Sequence, residues 1–492
     1  MKTNKEAYLK LSSMLLLTLG IQLIQVLKSS RIAALFGTSV EMDAYNFLNS
    51  VAGFIFSIMG AGIGVVLVPS LVKKNSSMRA CNGFLTMMYG FALLIIGILL
   101  AIRRPFLMAI SGNTGVFIDI AASLMVYVLL TQLATSLNSV YTTVLNCGNS
   151  HVVPKILTLL VTFCVTVYVF IAQNLSIRQY TIISFVLVLG EMVVQCLLAE
   201  RKGFHYSPCL PWKDHELRGL FRAFLPTVWG SGVFQLSLLV DSLIASTLDV
   251  GSISILGYAN TISTMLNTSL TGNILTYIYP KIAADVNNEK GKRKLAEYML
   301  LFATVMSFVV VLFIAAGHDA VRILFQRGKF TADATTGVFL CVTIYLVGAP
   351  INVMRDLVYR YFYSKGNTKS TFYNGLFASI LNMVISIILA QFMGLYGIVL
   401  GTTITAVFSF VSILLRMRKQ YTFGGNFPFF AGELLKLIGA TAGAVLGCVV
   451  IRALPLGWPS LLISVIAAIA GILIFGIVLL LTRAKVFKVE LG

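Results

Sequence analysis

The sequence predicts an all-α integral membrane protein with about 14 transmembrane helices, forming two parallel repeats of about six helices plus two extra C-terminal helices. Three observations predict this class. Of the 492 residues, 58% are hydrophobic and 11% are charged, whereas soluble domains carry about 25% charged residues. Apolar runs recur almost without a break from Lys10 to Thr482. The 37 Lys and Arg and the 18 Asp and Glu form short clusters between these runs, which excludes an ordinary cytosolic enzyme and a nucleic-acid partner.

The predicted spans follow from the length that a helix needs to cross a bilayer, about 20 mostly apolar residues. In chain order, spans 1 to 14 are 10–35, 44–71, 81–101, 115–145, 152–172, 179–199, 222–246, 254–280, 296–317, 334–362, 370–391, 396–416, 432–451 and 460–482. Several spans are longer than the bilayer is thick, which indicates that those helices tilt or project beyond the lipid.

The loops predict the orientation of the chain. Most Lys and Arg lie in one set of alternate loops, which includes both termini. The opposite set holds only Arg103, Arg104, Arg178, Arg322, Arg327, Lys329 and Arg452. Because cytoplasmic loops carry the excess of Lys and Arg, both termini are predicted to be cytoplasmic.

The polar loop near the middle of the chain predicts the domain organisation. Spans 1–6 form an N-lobe over 1–200, a cytoplasmic linker covers 201–221, and spans 7–12 form a C-lobe over 222–419. Residues 420–492 hold spans 13 and 14 and the C-terminal tail. Weak self-similarity between RIAALFGTSVEMDAYN and SLIASTLDVGSISILGYAN, each followed by a span that ends at a proline, Pro69 or Pro280, indicates parallel repeats.

Span 1 carries a polar face. Gln22, Gln25 and Lys28 follow one another at intervals of three residues, and Arg31 continues the series, so the four side chains share a slowly turning face of the helix. One interpretation is a cationic wall of a central cavity that would suit an anionic substrate. The alternative is that Lys28 and Arg31 snorkel to the outer interface.

Asp241 lies deep in span 7 without a basic residue nearby in its own helix. A carboxylate at that depth needs a proton, a cation or a partner from another helix. Glu191 in span 6 and Asp356 in span 10 are rivals for this role, although Asp356 adjoins Arg355. Spans 11 and 12 offer neutral oxygens that suit Na⁺ in combination with a carboxylate, or that serve as ordinary contacts between helices. These residues are Asn382, Ser386, Thr402 and Thr403.

Residues 322–330 place Arg322, Arg327 and Lys329 in a loop that the positive-inside rule should deplete of cations. The segment either contacts phosphate or glycan, or forms a short re-entrant or interfacial turn.

No HExxH, GxSxG or P-loop pattern occurs, and the 7 cysteines form no CxxC pair. A transporter is therefore predicted rather than an enzyme.

Two segments of the sequence resemble a known family. ALFG at 34–37, Met42-Asp43-Ala44-Tyr45 and VPSL at 68–71, together with LFQRGKFTADA at 324–334, are similar to the MviN/MurJ group of the multidrug/oligosaccharidyl-lipid/polysaccharide (MOP) exporter superfamily. The resemblance implies a bacterial cytoplasmic-membrane flippase that carries lipid-linked glycan precursors to the outer leaflet by alternating access. It also implies that two extra C-terminal helices form a groove for the lipid tail.

The resemblance also implies roles for particular residues. Matched without gaps, the family's essential arginines fall on Gln22, Lys28, Phe56 and Thr261, so that only Lys28 keeps its charge. The family's aspartate at the start of helix 2 is kept as Asp43. The family's sodium site falls on Asp241, Asn382, Thr402 and the backbone carbonyl of Ile398, and Ser386 replaces its second carboxylate.

These observations lead to a first hypothesis, a flippase for a polyprenyl-diphosphate-linked glycan of the undecaprenyl type, either lipid II or a related cell-envelope precursor. Na⁺ or H⁺ would be the coupling ion, without an organic cofactor. Two alternatives stay open: a cation-coupled exporter of small organic cations, and a scaffold that holds envelope-synthesis proteins through its basic loops. The cationic residues of span 1 favour the flippase, because they repel organic cations.

Overall fold

The computed structural model describes residues 2–72, 78–148, 150–211, 214–272, 282, 289–421, 423, 426–455 and 457–484; of residues 2–12, 58–59, 61–72, 223, 225–231, 271–272 and 289–290 it describes the backbone only. Helices dominate, and no strand occurs within these ranges. The predicted all-α class is confirmed for this part of the chain. Helices satisfy their own backbone hydrogen bonds, which is what an apolar bilayer requires.

The helices are numbered in chain order. They are α1 Lys2–Phe36, α2 Val40–Val72, α3 Met78–Ala101, α4 Arg103–Ser111, α5 Val116–Cys147, α6 Val152–Ile171, α7 Ile177–Arg201, α8 His215–Ser246, α9 Ser252–Asn267, α10 Glu289–Phe325, α11 Ala332–Ser364, α12 Thr368–Met393, α13 Leu395–Tyr421, α14 Phe427–Ala453 and α15 Ser460–Leu481. A π-helical turn, Thr268–Gly272, extends α9.

Within the described residues, 11 helical segments are long and apolar enough to cross a membrane. They lie in α1, α3, α5, α6, α7 and α10–α15, so the chain is a multi-pass membrane protein. The other predicted spans overlap the remaining long helices: 44–71 overlaps α2, 222–246 overlaps α8, and 254–280 overlaps α9 and its π-helical turn. Each of these three includes side chains or whole residues outside the described part, as do the VPSL segment and Pro280 of the predicted repeats.

A short helix, α4, occupies a stretch that the sequence predicts to be a connection between spans 3 and 4. It covers Arg103–Ser111 and ends at Gly112, whose φ of 66° is left-handed. Its Leu107 is fully buried. Nine residues are too few to cross a bilayer, so the span-length rule does not detect such a helix.

Two compact units make up the chain, Met1–Ser254 and Ile255–Gly492. In the first unit α2 packs against α5 and α8, α5 against α7, and α1 against α6. In the second unit α10 packs against α11, α14 and α15, and α12 packs against α13. The units divide after Ser254, whereas the sequence places the linker at 201–221. The lobes stay a prediction.

Candidate functional site

Lys28 lies in a polar cluster of the first unit that joins four helices. Its ammonium group is within electrostatic reach of Tyr45 on α2. The Tyr45 ring packs edge-on against Tyr180 of α7, with ring centroids 5.4 Å apart. One turn along α2, the Asn49 amide donates to the Tyr45 carbonyl at 2.9 Å, and Gln132 of α5 donates to Asn49 Oδ1 at 3.5 Å. We call these five residues the Lys28 cluster.

The remaining polar residues of α1 have different surroundings. Gln22 is half-buried and Gln25 is exposed. Arg31 is directed to α6: its Nε donates to the Val169 carbonyl at 3.4 Å, and its guanidinium lies 5.9 Å from the centre of the Phe170 ring. The predicted face is therefore divided, with Lys28 next to α2 and Arg31 against α6.

Asp43 is buried at the start of α2 and binds the start of α9. Its Oδ2 accepts from the backbone N–H of Gly251 at 2.6 Å, and its Oδ1 accepts from the backbone N–H of Ser254 at 2.8 Å and from the Ser254 hydroxyl. A carboxylate at a helix N-terminus satisfies amide groups that have no partner within the helix, and it interacts favourably with the helix dipole. In this conformation both carboxylate oxygens of Asp43 therefore bind the protein itself.

The backbone around Gly251 explains why the contact is so close. Gly251 has a φ of 98°, and a Cβ there would lie 2.9 Å from Thr38 Cβ. Only glycine fits this position without strain. Nearby, Asn113 donates to the Ser246 carbonyl at 2.9 Å and the Ser246 hydroxyl donates to the Ser111 carbonyl at 3.1 Å.

Asp241, the predicted cation-binding carboxylate, lies in α8 and is 8% exposed. It belongs to the first compact unit, whereas Asn382, Ser386, Ile398 and Thr402 belong to the second. The role of the five residues as a common site stays a prediction.

In the second unit, neutral oxygens meet at the Ile398 carbonyl. The hydroxyls of Ser386 on α12 and Thr402 on α13 both donate to this carbonyl, each at 3.4 Å. Asn382 is buried one turn before Ser386. Thr403 is engaged elsewhere, because its hydroxyl donates to the Ile344 carbonyl of α11 at 2.9 Å.

Close packing of α12 and α13 brings these oxygens together. A Cβ at Gly401 would lie 2.8 Å from Ser386 Oγ, and one at Gly397 would lie 2.3 Å from the Leu389 carbonyl oxygen. Hydroxyl and carbonyl oxygens are ligands of hard cations such as Na⁺, so the donor set fits the predicted ion. Within the described ranges, no group of three or more His, Cys, Asp or Glu is placed to hold a metal.

Residues 322–325 form the last turn of α10, and residues 326–331 form a compact turn between α10 and α11. Gly328 has a φ of 59°, and Arg327 donates to the Ile323 carbonyl of its own chain at 2.7 Å. Phe325 and Phe330 are buried against Tyr258, with centroid distances of 5.5 and 5.4 Å. This geometry agrees with the interpretation as a turn, and contact with phosphate or glycan stays a prediction.

Sequence reasoning missed several polar partners. Nothing in the sequence links Asp43 to Ser254, because 211 residues separate them. Tyr45 and Asn49 are four residues apart, so they share the face of α2 that meets α5 and α7. This spacing was the feature of the sequence that could have indicated the Lys28 cluster.

Comparison with known proteins places these observations in context. The family model for the lipid II flippase MurJ matches residues 32–476. The probable lipid II flippase MurJ of Borreliella burgdorferi is 22% identical over 384 residues, which cover 75% of each chain. That of Synechocystis sp. is 23% identical over 462 residues, covering 86% of this chain and 84% of its own.

Two solved structures share the fold. An inward-closed conformation of lipid II flippase MurJ gives a TM-score of 0.78 at 19% identity, covering 95% of this chain and 98% of that one. An inward-facing multidrug resistance MATE transporter of the MOP superfamily gives a TM-score of 0.62 at 14% identity, covering 83% of this chain and 99% of its own.

Proposed function

The chain belongs to the MurJ family of lipid II flippases, and from this premise we propose that it moves lipid II across the membrane by alternating access. The family match over residues 32–476 is the observation that carries the proposal. It confirms the family that the sequence resembles, and it makes the protein a transporter rather than an enzyme. The undecaprenyl form of the lipid and contacts with envelope-synthesis proteins through the basic loops are part of the proposal.

Lys28 is the residue that we propose attracts the diphosphate of the lipid. It is the cation of α1 that interacts electrostatically with Tyr45 of α2, whereas Arg31 contacts α6. Amide and phenol groups from Gln22, Asn49, Gln132 and Tyr45 supply further polar contacts. Hydrogen bonds between a cation and phosphate are stronger than those between neutral groups. Gln25 and Asp43 complete the predicted substrate-binding set.

We propose that a cation, Na⁺ or H⁺, drives the conformational change. Asp241 would supply the charge, and Asn382, Ser386, Thr402 and the Ile398 carbonyl would supply neutral oxygens. Support comes from the burial of Asp241 and from the two hydroxyls that meet at the Ile398 carbonyl. A cation can shift the equilibrium only by the difference between its affinities for the two conformations.

Replacing Asp241 by Asn tests this cation site. We expect the stimulation of flipping by a sodium or a proton gradient to fall in Asp241→Asn, while the isosteric Asp119→Asn, which loses only the surface ion pair with Arg104, retains it. Rates are measured in proteoliposomes with a fluorescent lipid II. An Asp241→Asn protein that responds to both ions as the wild type does would contradict the role.

The proposed topology has fourteen spans in a bacterial cytoplasmic membrane, with both termini in the cytoplasm. Spans 1–6 and 7–12 would form two parallel lobes, and α14 and α15 would hold the lipid tail. The distribution of Lys and Arg among the loops supports this orientation. Labelling of cysteines introduced at the exposed positions Arg178 and Glu200, which lie at opposite ends of α7, tests it in intact cells.

The substrate is tested by complementation. We expect the gene to rescue a strain depleted of its own lipid II flippase, and the purified protein to flip fluorescent lipid II in liposomes. Export of small organic cations without flipping would indicate the drug-efflux alternative. A protein that rescues nothing and moves neither substrate would contradict the proposed function.

A further inference from the structure

Glu191 is a buried carboxylate that none of the proposed roles uses. It lies in the middle of α7, a helix long and apolar enough to cross a membrane. The residue is 8% exposed. An ionisable side chain inside a span is costly, and such residues commonly take part in ion or proton pathways.

Two neutral donors contact Glu191, and a third side chain orients one of them. The Thr158 hydroxyl of α6 donates to Glu191 Oε1 at 2.7 Å, and the Gln195 amide, one turn along α7, donates to the same oxygen at 3.1 Å. The Thr142 hydroxyl of α5 donates to Gln195 Oε1 at 2.8 Å and fixes the orientation of that amide. No ion pair of Glu191 is found in the part of the chain that the structure describes. Among the described residues, the ionised form of Glu191 is therefore stabilised by hydrogen bonds from neutral groups.

The Thr158 hydroxyl has two acceptors within reach. Besides Glu191 Oε1, it can donate to the Pro154 carbonyl one turn earlier on α6, at 3.1 Å. A hydroxyl group rotates, and it accepts as readily as it donates. When Glu191 is ionised, Thr158 donates to it. When Oε1 carries a proton, that proton is donated to Thr158, whose own hydrogen turns to Pro154. The network thus stays hydrogen-bonded in both protonation states.

We propose that Glu191 is a proton-binding site of the transport cycle. Its Oε1 takes up a proton from water in one conformation and returns it to water in another, so that only an O–H bond forms and breaks. The proton then biases the conformational equilibrium, because the neutral acid and the carboxylate differ in the cost of burial. This inference rests on the proposed lipid II flipping, and it identifies a coupling proton at a site separate from Asp241.

The other titratable groups near α7 are engaged elsewhere. On α6, Lys155 donates to the Thr18 hydroxyl of α1 at 2.6 Å. Tyr141 of α5 interacts with Cys196 and Glu200, beyond Glu191 along α7, and Tyr45 of α2 packs on Tyr180 near the opposite end of α7. At that same end Asp119 of α5 pairs with Arg104. Among the titratable groups of α7 and of the helices packed against it, the proton site is therefore assigned to Glu191.

The inference is tested by lipid II flipping in proteoliposomes under an imposed pH gradient at constant Na⁺. We expect the wild-type rate to change with the gradient, and this change to be smaller in Glu191→Gln because the amide cannot bind the proton. Asp356→Asn is the matched control, since it removes a half-exposed carboxylate paired with Arg355, and it should respond to the gradient as the wild type does.

Infrared difference spectra between acid and alkaline pH supply a second measurement that does not depend on transport. Among the protonated-carboxyl bands of the wild type, the one due to Glu191 should be absent in Glu191→Gln and shifted in Thr158→Val, which loses the hydroxyl contact. If Glu191→Gln does not fold, the band shift in Thr158→Val decides the question.

The outcomes separate this inference from the proposed function. Wild-type protein that flips lipid II at the same rate with and without the gradient overturns the proton site and leaves the flippase intact. A gradient response in Glu191→Gln equal to that of the wild type, or a carboxyl band unchanged by Thr158→Val, also overturns it. Wild-type protein that does not flip lipid II contradicts the proposed function itself.

Discussion

At the scale of single residues, two charged side chains have different surroundings. Asp43 lies in the first turn of α2, and Lys28 lies in the C-terminal third of α1. Asp43 is satisfied by three donors from Gly251 and Ser254, and it therefore contributes first to holding this conformation. Lys28 interacts with the phenol of Tyr45 and has no carboxylate partner among the ion pairs of the described residues. A cation in such surroundings is suited to an anionic ligand.

Replacing Asp43 by Ala leaves buried amide groups at the start of α9 without their acceptor. Such a loss costs about 1–3 kcal/mol. We expect a lower melting temperature for the purified protein in detergent. Glu41→Ala is the control, because Glu41 lies in the same first turn of α2 but is exposed. Equal melting temperatures for the two variants would contradict the assignment.

Replacing Lys28 by Gln removes the proposed contact with the diphosphate. A hydrogen bond to a charged group contributes about 1.5–3 kcal/mol, so we expect at least about a tenfold loss in apparent affinity for lipid II. Lys28→Arg should retain most of the binding, since it keeps the charge. Affinity is measured by titrating fluorescent lipid II into the purified protein. Unchanged binding in Lys28→Gln would place the diphosphate elsewhere.

At the scale of helices, small residues decide where polar groups meet. Gly397 and Gly401 allow α13 to approach α12 so closely that Ser386 reaches the Ile398 carbonyl. Small residues commonly permit such contacts between membrane helices. The oxygen cluster therefore depends on the packing of two helices as much as on its own residues.

Replacing Gly397 by Ala should separate α12 from α13, because the new Cβ would lie 2.3 Å from the Leu389 carbonyl oxygen. Overpacking of this kind costs about 1–3 kcal/mol. We expect a lower melting temperature and a weaker sodium response in flipping assays. Gly375→Ala in α12 is the matched control, since no heavy atom lies within 4 Å of its new Cβ. A sodium response equal in both variants would count against the cluster.

At the scale of the whole molecule, one buried carboxylate of α10 contacts both of the last two helices, α14 and α15. Asp319 is 2% exposed. It accepts from the Ser464 hydroxyl of α15 and lies 3.6 Å from Arg322 and 4.0 Å from Arg452 of α14. Arg452 also donates to the Ala315 carbonyl at 2.8 Å. The C-terminal helix pair is therefore part of the second compact unit.

Replacing Asp319 by Ala should weaken this attachment. Removing this acceptor leaves the buried Ser464 hydroxyl without its partner, which costs about 1–3 kcal/mol. We expect faster proteolysis between α14 and α15 and a lower melting temperature. Asp333→Ala, which removes an exposed carboxylate in the first turn of α11, should change either property much less. Equal protease resistance in the two variants would show that Asp319 does not anchor the helix pair.

Much of the helical architecture was predictable from the sequence. The predicted spans 152–172 and 460–482 correspond to Val152–Ile171 and Ser460–Leu481, because hydropathy is summed along the chain and needs no knowledge of neighbours. The helix α4 was not predicted, since its stability depends on burial of Leu107 rather than on length. Of the candidate site, the hydroxyls of Ser386 and Thr402 meet at the Ile398 carbonyl, while their role in a cation site stays a prediction. The division of the α1 face between Lys28 and Arg31 was not foreseen.

The sequence by itself determined the membrane class, the predicted orientation and the family, because apolar length, loop charge and short motifs are local properties. Only the tertiary structure decided which polar groups meet. Asp43 and Gly251 are 208 residues apart, and Glu191 accepts a hydrogen bond from Thr158 on another helix. Inside a span a polar side chain must find its partner within the protein rather than in water. The packing of helices that are distant along the chain therefore sets the chemistry of each buried group.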